Sequence, residues 1–183
     1  MSDLIVLLLL TALCSILVGC AATSPPPDNA GPIAEGSNRN FTYTLATSAS
    51  AASVWALWTN VAEWPAWDQE LKAATLEGVF REGAEGSLDP LAGPSARFVI
   101  EDVEPGEAYT LATRLPLGWL RVRRVLGRTD DGRVTFTHTV TFSGLGGRAL
   151  ARRLGPQFRK ALPVAMEQLR ALAEAQPEAP GRP

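Results

Sequence analysis

Between Val134 and Phe142 the chain alternates without a break: Val134, Phe136, His138, Val140 and Phe142 take every second position, and Thr135, Thr137, Thr139 and Thr141 fill the gaps. Successive side chains of a strand point to opposite faces, so this stretch is a half-buried strand with one apolar and one threonine face. The apolar face has one exception, the single histidine of the chain. The preceding strand has the same form. Leu120, Val122, Arg124 and Leu126 share a face interrupted by one arginine, with Trp119, Arg121, Arg123 and Val125 opposite.

Both apolar faces can look into one core in only some registers, because a slip by one residue turns every side chain over. A turn with an odd number of residues around Asp130-Asp131-Gly132 meets the condition by pairing Leu126 with Phe136 and Val122 with Val140. The same register sets Arg124 beside His138, a polar pair on an apolar face. Two buried cations would repel, so His138 is expected to be neutral near neutral pH. Such a pair can hold a carboxylate, enolate or hydroxyl of a ligand. The alternative is structural: His138 bonds a backbone carbonyl while Arg124 reaches the sheet edge or an acid such as Asp102.

The rest of the chain frames these strands. Phe41-Thr42-Tyr43-Thr44-Leu45 alternates as a first strand. After Ser48 and Ser50, either able to cap a helix, Val54, Trp55, Leu57, Trp58 and Val61 recur at helical spacing, and Pro65 limits the segment before Trp67. Two short helices meeting at a bend are expected there. From Leu71 to Phe142, turn residues such as Gly83, Gly93-Pro94, Pro105-Gly106 and Pro116 divide β-rich segments into an antiparallel meander of about six strands. From about Leu145 to Ala175, Phe158, Leu162, Ala165, Met166, Leu169 and Leu172 form one stripe of a long amphipathic helix, which Pro163 bends. The class is α+β.

Inventory excludes several functions. A formal net charge of -2, with arginines scattered among acids along the chain, argues against a nucleic-acid partner. Both cysteines, Cys14 and Cys20, precede the folding part, and with a single histidine a metal site would have to be nearly all carboxylate, of which the sequence shows no cluster, so neither a metal nor another cofactor is expected. Leu4 to Val18 is an apolar run of secretory length. It ends in Leu17-Val18-Gly19-Cys20, which resembles the lipobox of bacterial lipoproteins, whose cysteine accepts a diacylglycerol. The resemblance implies export and a membrane anchor at Cys20; the alternatives are a single N-terminal transmembrane helix and a plain cleaved signal. The expected organisation is a leader over 1–20, a flexible linker rich in Pro, Gly and Ser over 21–39, one domain over 40–175 and a disordered tail over 176–183.

Ser53-Val54-Trp55-Ala56-Leu57-Trp58-Thr59-Asn60 leading into Trp64-Pro65-Ala66-Trp67-Asp68 resembles the opening of the START-like (SRPBCC, polyketide cyclase type) superfamily. Glu101 to Gly106 before a strand, Thr139 to Gly144 at the end of the last strand, and Ala161-Leu162-Pro163 with Met166 and Leu169 continue the likeness in order. Asn60 stands where that superfamily commonly has Asp. The resemblance implies a helix-grip fold, a curved antiparallel sheet of about seven strands around the long helix. It also implies a cavity between them for a hydrophobic or amphipathic small molecule, lipid-like or polyketide-like. The residues expected to line it are Arg124, His138, Phe136, Val140, Val122, Leu126, Trp67, Leu162 and Met166. Fold does not decide chemistry, and three readings follow: an anchored carrier or sensor without catalysis, a cyclase or isomerase using Arg124 and His138, and an envelope interaction domain whose cavity is filled by its own side chains. Trp119, after the Pro116-Leu117-Gly118 tip, is placed to touch ligand or membrane.

Overall fold

The computed structural model describes residues 31–34 and 39–176. Its strands are β1 (Gly31–Ala34), β2 (Asn40–Thr47), β3 (Leu71–Leu76), β4 (Glu85–Pro90), β5 (Ala96–Glu104), β6 (Ala108–Leu115), β7 (Gly118–Arg128) and β8 (Val134–Ser143). Helix α1 (Ala51–Thr59) and a 3-10 helix (Val61–Ala66) lie between β2 and β3, and α2 (Gly147–Ala175) follows β8. All strands form one antiparallel sheet in the order β1-β2-β8-β7-β6-β5-β4-β3. The chain leaves the sheet after β2, crosses through the two short helices, re-enters at the far edge as β3 and meanders back until β8 pairs with β2. This is the α+β helix-grip architecture.

Local chemistry explains each joint. Ser50 caps α1, its hydroxyl accepting from the Ser53 N–H at 3.0 Å, which satisfies one of the orphan donors of a helix start. Pro65 sits inside the 3-10 helix, and Asn60 links the two helices through its backbone: its N–H donates to the Ala56 carbonyl and its carbonyl accepts from Glu63. Asn60 makes no side-chain cap. Between Glu101 and Glu104 the β5–β6 pairing shifts, with Asp102 in the left-handed region at φ 51°. A bulge of this kind bends the strand and increases its twist.

The β7–β8 register matches the expectation residue for residue: Leu126 faces Phe136, Val122 faces Val140 and Arg124 faces His138. Along β8 the apolar set is buried and the threonines are half-buried. On that outer face, Thr42 and Thr44 of β2 bond Thr139 and Thr137 at 3.0 and 2.9 Å. The inner face packs under α2, whose Leu162, Ala165, Met166, Leu169 and Ala173 are buried.

One boundary differs from the sequence reading. Within the segment 21–39, read as a linker, residues 31–34 form β1, with Gly31 opposite Thr44 and Ala34 opposite Thr42. The strand satisfies backbone groups along β2 that an unpaired edge would leave open. The leader with Cys20 and residues 177–183 lie outside the described residues.

Candidate functional site

The site begins with the Arg124–His138 pair, which the β7–β8 register places side by side and the α1 region roofs over. Both are buried, Arg124 at 4% and His138 at 1% relative exposure. A guanidinium keeps its charge, so burial costs several kcal/mol unless the surroundings compensate. A carboxylate does not supply the compensation: among the described residues Arg124 makes no ion pair. Asp102 does not reach it; the carbonyl of that residue accepts from Arg123 instead. Asp68 is the acid whose field includes Arg124, and burial raises its own pKa against the pull of a backbone N–H and of the arginine.

Aromatic rings take the place of the counterion. The guanidinium carbon lies 4.7 Å from the ring centre of Trp64, 5.0 Å from Trp67 and 5.3 Å from Tyr109. Cation–π contacts reach about 2 kcal/mol or more when desolvated, so three rings offset a large part of the burial cost. Arg124 Nη1 also donates to the Tyr109 hydroxyl, which in turn donates to the Trp58 carbonyl at 3.1 Å. Trp64 Nε1 donates to that same carbonyl at 3.0 Å. A carbonyl orphaned at the end of α1 therefore ties the two short helices to β6. Burial pushes the Tyr109 pKa up to about 12, opposed by Arg124, so the phenol stays protonated.

His138 packs against Trp58, Trp67 and Phe136, with ring centres 5.5, 6.5 and 6.4 Å away. Burial first, and the charge of Arg124 second, hold its imidazole well below the ordinary value. The neutral histidine expected from the sequence follows from both causes.

Four buried polar atoms around this pair have no hydrogen-bond partner: Arg124 Nε, His138 Nε2, Trp58 Nε1 and Trp67 Nε1. Three are donors by their chemistry, and the neutral imidazole offers a donor or an acceptor depending on its tautomer. Leaving such a group unsatisfied costs about 1–3 kcal/mol, and native interiors rarely tolerate several together. Their donor-rich character suits an oxygen that carries negative charge or accepts bonds.

Of the residues expected to line a cavity, Phe136, Val140, Trp67, Leu162 and Met166 are buried on the concave face with Arg124 and His138, while Val122 and Leu126 are half-buried against the same core. Trp58, Trp64 and Tyr109 were missing from that expectation. Tyr109 could have been found by carrying the register one strand further, since it pairs with Arg124 across β6 and β7. Two depressions, of about 180 and 310 Å³, lie where β2 meets α1 and are lined by residues such as Ser48, Ser50, Glu174 and Arg133. Neither is lined by Arg124 or His138, whose surroundings are filled by rings. On the opposite sheet face Glu101 and Glu104 pair with Arg121 and Arg123, which makes them surface ion pairs. Among the described residues there is no cluster of His, Cys, Asp and Glu able to hold a metal, and no helix long and apolar enough to cross a membrane.

A curved sheet gripping one long helix, here with a polar pair inside its apolar core, is the helix-grip class of fold. Residues 39–174 match the family described as polyketide cyclase/dehydrase and lipid transport, and the chain belongs to that family. Similar solved structures include a Mesorhizobium loti protein, with TM-score 0.61 and 16% identity, covering 76% of this chain and 99% of that one. Ara h 8.0201 has TM-score 0.61 and 12% identity, covering 75% and 98%. The di-domain ARO/CYC StfQ from the steffimycin biosynthetic pathway has TM-score 0.58 and 17% identity, covering 75% of this chain and 51% of that one. At these identities the likeness is one of fold. A search of curated proteins finds no match.

Two outcomes follow from the buried pair. Arg124→Met keeps the volume and removes a buried charge that the rings offset only in part, so it should raise unfolding stability in urea by about 1–3 kcal/mol, a gain at the expense of whatever the cation serves. The second concerns pH. In the unfolded chain His138 takes up a proton around its ordinary value of 6.5, whereas the folded chain resists it. Below that pH the unfolded state binds the extra proton, so stability is full above it and is lost as pH falls toward the folded-state value. Urea titrations between about pH 6.5 and 5 should show up to about 1.4 kcal/mol per pH unit from this group, absent in His138→Gln.

Proposed function

We propose that the protein binds an amphipathic small molecule between the sheet and α2, with an anionic or carbonyl oxygen held at Arg124 and His138 and the apolar body against Phe136, Val140, Leu162 and Met166. The observation that carries this reading is a buried guanidinium without a carboxylate, surrounded by unpartnered N–H groups. A purely structural arginine would have been neutralised by an acid or replaced by an apolar residue, since the cation weakens the fold. Entry requires the ring shell and α2 to part. Pro156 and Pro163 both lie inside α2, and each removes a rung from its hydrogen-bond ladder, which favours bending there. The sequence Leu17-Val18-Gly19-Cys20 supports a lipid anchor at Cys20 of an exported chain, which would keep this binding domain beside a membrane.

A catalytic variant of the reading is favoured by one observation, the neutral His138 next to Arg124. An imidazole in that state can take a proton from a carbon acid while the guanidinium stabilises the resulting enolate oxygen.

Fluorescence titration with two dyes tests the binding claim: anilinonaphthalene sulfonate carries an anion on apolar rings, and phenylnaphthylamine is uncharged. Wild type should bind both, and Arg124→Met should weaken the sulfonate about 10- to 100-fold, the worth of a charged hydrogen bond, while the neutral dye is unaffected. If neither dye binds, or the variant weakens both equally, the interior is a closed core and the chain is an interaction domain.

A further inference from the structure

Four of the arginines scattered along the sequence are gathered by the fold at one end. The β6–β7 turn and the connection from β8 to α2 lie side by side there, with the Gly146 N–H donating to the Leu117 carbonyl at 2.8 Å. Glycine is required for this approach. A Cβ on Gly118 would fall 2.2 Å from the Ser143 carbonyl oxygen, and one on Gly146 would fall 2.9 Å from Leu117 Cβ. What the close approach holds up is two bare leucines, Leu117 at 74% and Leu145 at 99% relative exposure.

Leu117 is also strained, with φ at 65° in a region that leucine rarely adopts. Such strain costs on the order of 1–3 kcal/mol and persists where a function holds it. A glycine would relieve it, so packing does not explain the leucine.

The surroundings are cationic. Arg39, Arg114, Arg148 and Arg152 are exposed around the two leucines: Arg114 stacks 5.7 Å from Trp119 on the next strand, and Arg39 Cδ lies 3.8 Å from where a Cβ on Gly147 would stand. Arg148 and Arg152, one turn apart on α2, make no ion pair among the described residues. Between Asp131 and Glu167 the chain has no acidic residue at all. The first turn of α2 has no acid and no side-chain cap, although a helix start favours negative charge and these cations oppose its dipole. The acids Glu104, Glu107, Asp130, Asp131 and Glu174 are at the other end, together with Arg128 and Arg133, while Glu70 and Asp89 lie at the arginine end but on the far edge of the sheet, beside β3 and β4. A net charge of -2 thus conceals a local cationic patch.

We infer that this arginine-rimmed leucine tip is a docking surface for an anionic phospholipid membrane. Cations meet the headgroups while Leu117 and Leu145, with Trp119 behind them, enter the interfacial layer. Charge complementarity selects the anionic surface, and the paired leucines distinguish it from a site that recognises charge alone. The inference stands apart from ligand binding at Arg124, which lies inside the core.

Hydrogen exchange of the full chain with phosphatidylcholine vesicles, with and without phosphatidylglycerol, tests it. The apolar N-terminus can associate with both vesicle types, so the readout is the difference between them at residues 115–119 and 144–150. These amides should exchange about tenfold more slowly on the phosphatidylglycerol vesicles, the effect of one to two cations at an anionic surface, and salt should abolish the difference. Arg148→Glu with Arg152→Glu should remove the protection. Leu117→Gly should weaken it while raising the thermal midpoint, a combination that a structural leucine would not produce. Equal exchange on the two vesicle types overturns the proposal. So does equal protection by polyglutamate or duplex DNA, which would mark a general polyanion site.

Discussion

A guanidinium inside an apolar core organises the centre of this protein. Arg124 is on the concave face because β7 alternates, and the register with β8 leaves it no other side to face. Its charge is then met by Trp64, Trp67 and Tyr109 rather than by an acid. Those rings come from the 3-10 helix, the residue after it and β6, so the arginine is the point where the crossover helices and the central strands join. The carbonyl of Trp58, accepting from both Tyr109 and Trp64, fixes the same elements from the helix side.

The arrangement separates stability from function. Rings offset part of the cost of the buried cation, yet the unpartnered nitrogens of Arg124, His138, Trp58 and Trp67 leave a donor-rich environment that the protein does not satisfy from its own atoms. Interiors that serve packing alone avoid such groups. The neutral state of His138 belongs to the same arrangement, since the adjacent charge and the dry surroundings act in one direction. An oxygen-bearing ligand would answer the site's chemistry; the family to which the chain belongs is described as polyketide cyclase/dehydrase and lipid transport.

The surface repeats the theme of an uncompensated cost. Leu117 is strained and exposed, and α2 begins with cations where its dipole favours anions. Neither feature helps the domain fold. Both lie at one end, beside Arg39, Arg114, Arg148 and Arg152, and a net charge close to balance says nothing of that local patch.

Much of this was legible in the sequence because periodicity is a local property. Alternation in β7 and β8 set their inner faces, the odd turn at Asp130-Asp131-Gly132 set the register, and the neighbouring positions of Arg124 and His138 followed from the two together. The short helices around Trp58 and Pro65 and the long C-terminal helix were likewise local. The partners of Arg124 were not, because Trp64 and Trp67 reach it through a crossover whose packing no spacing rule specifies. Strand β1, inside a segment rich in loop-forming residues, exists through pairing with the edge of β2 and carries no alternation of its own. The clustering of Arg39, Arg114, Arg148 and Arg152 also belongs to tertiary structure. Residues distant in the chain share one end of the molecule only because β6, β7, β8 and α2 all turn there, and charge density is a property of surface, not of sequence order.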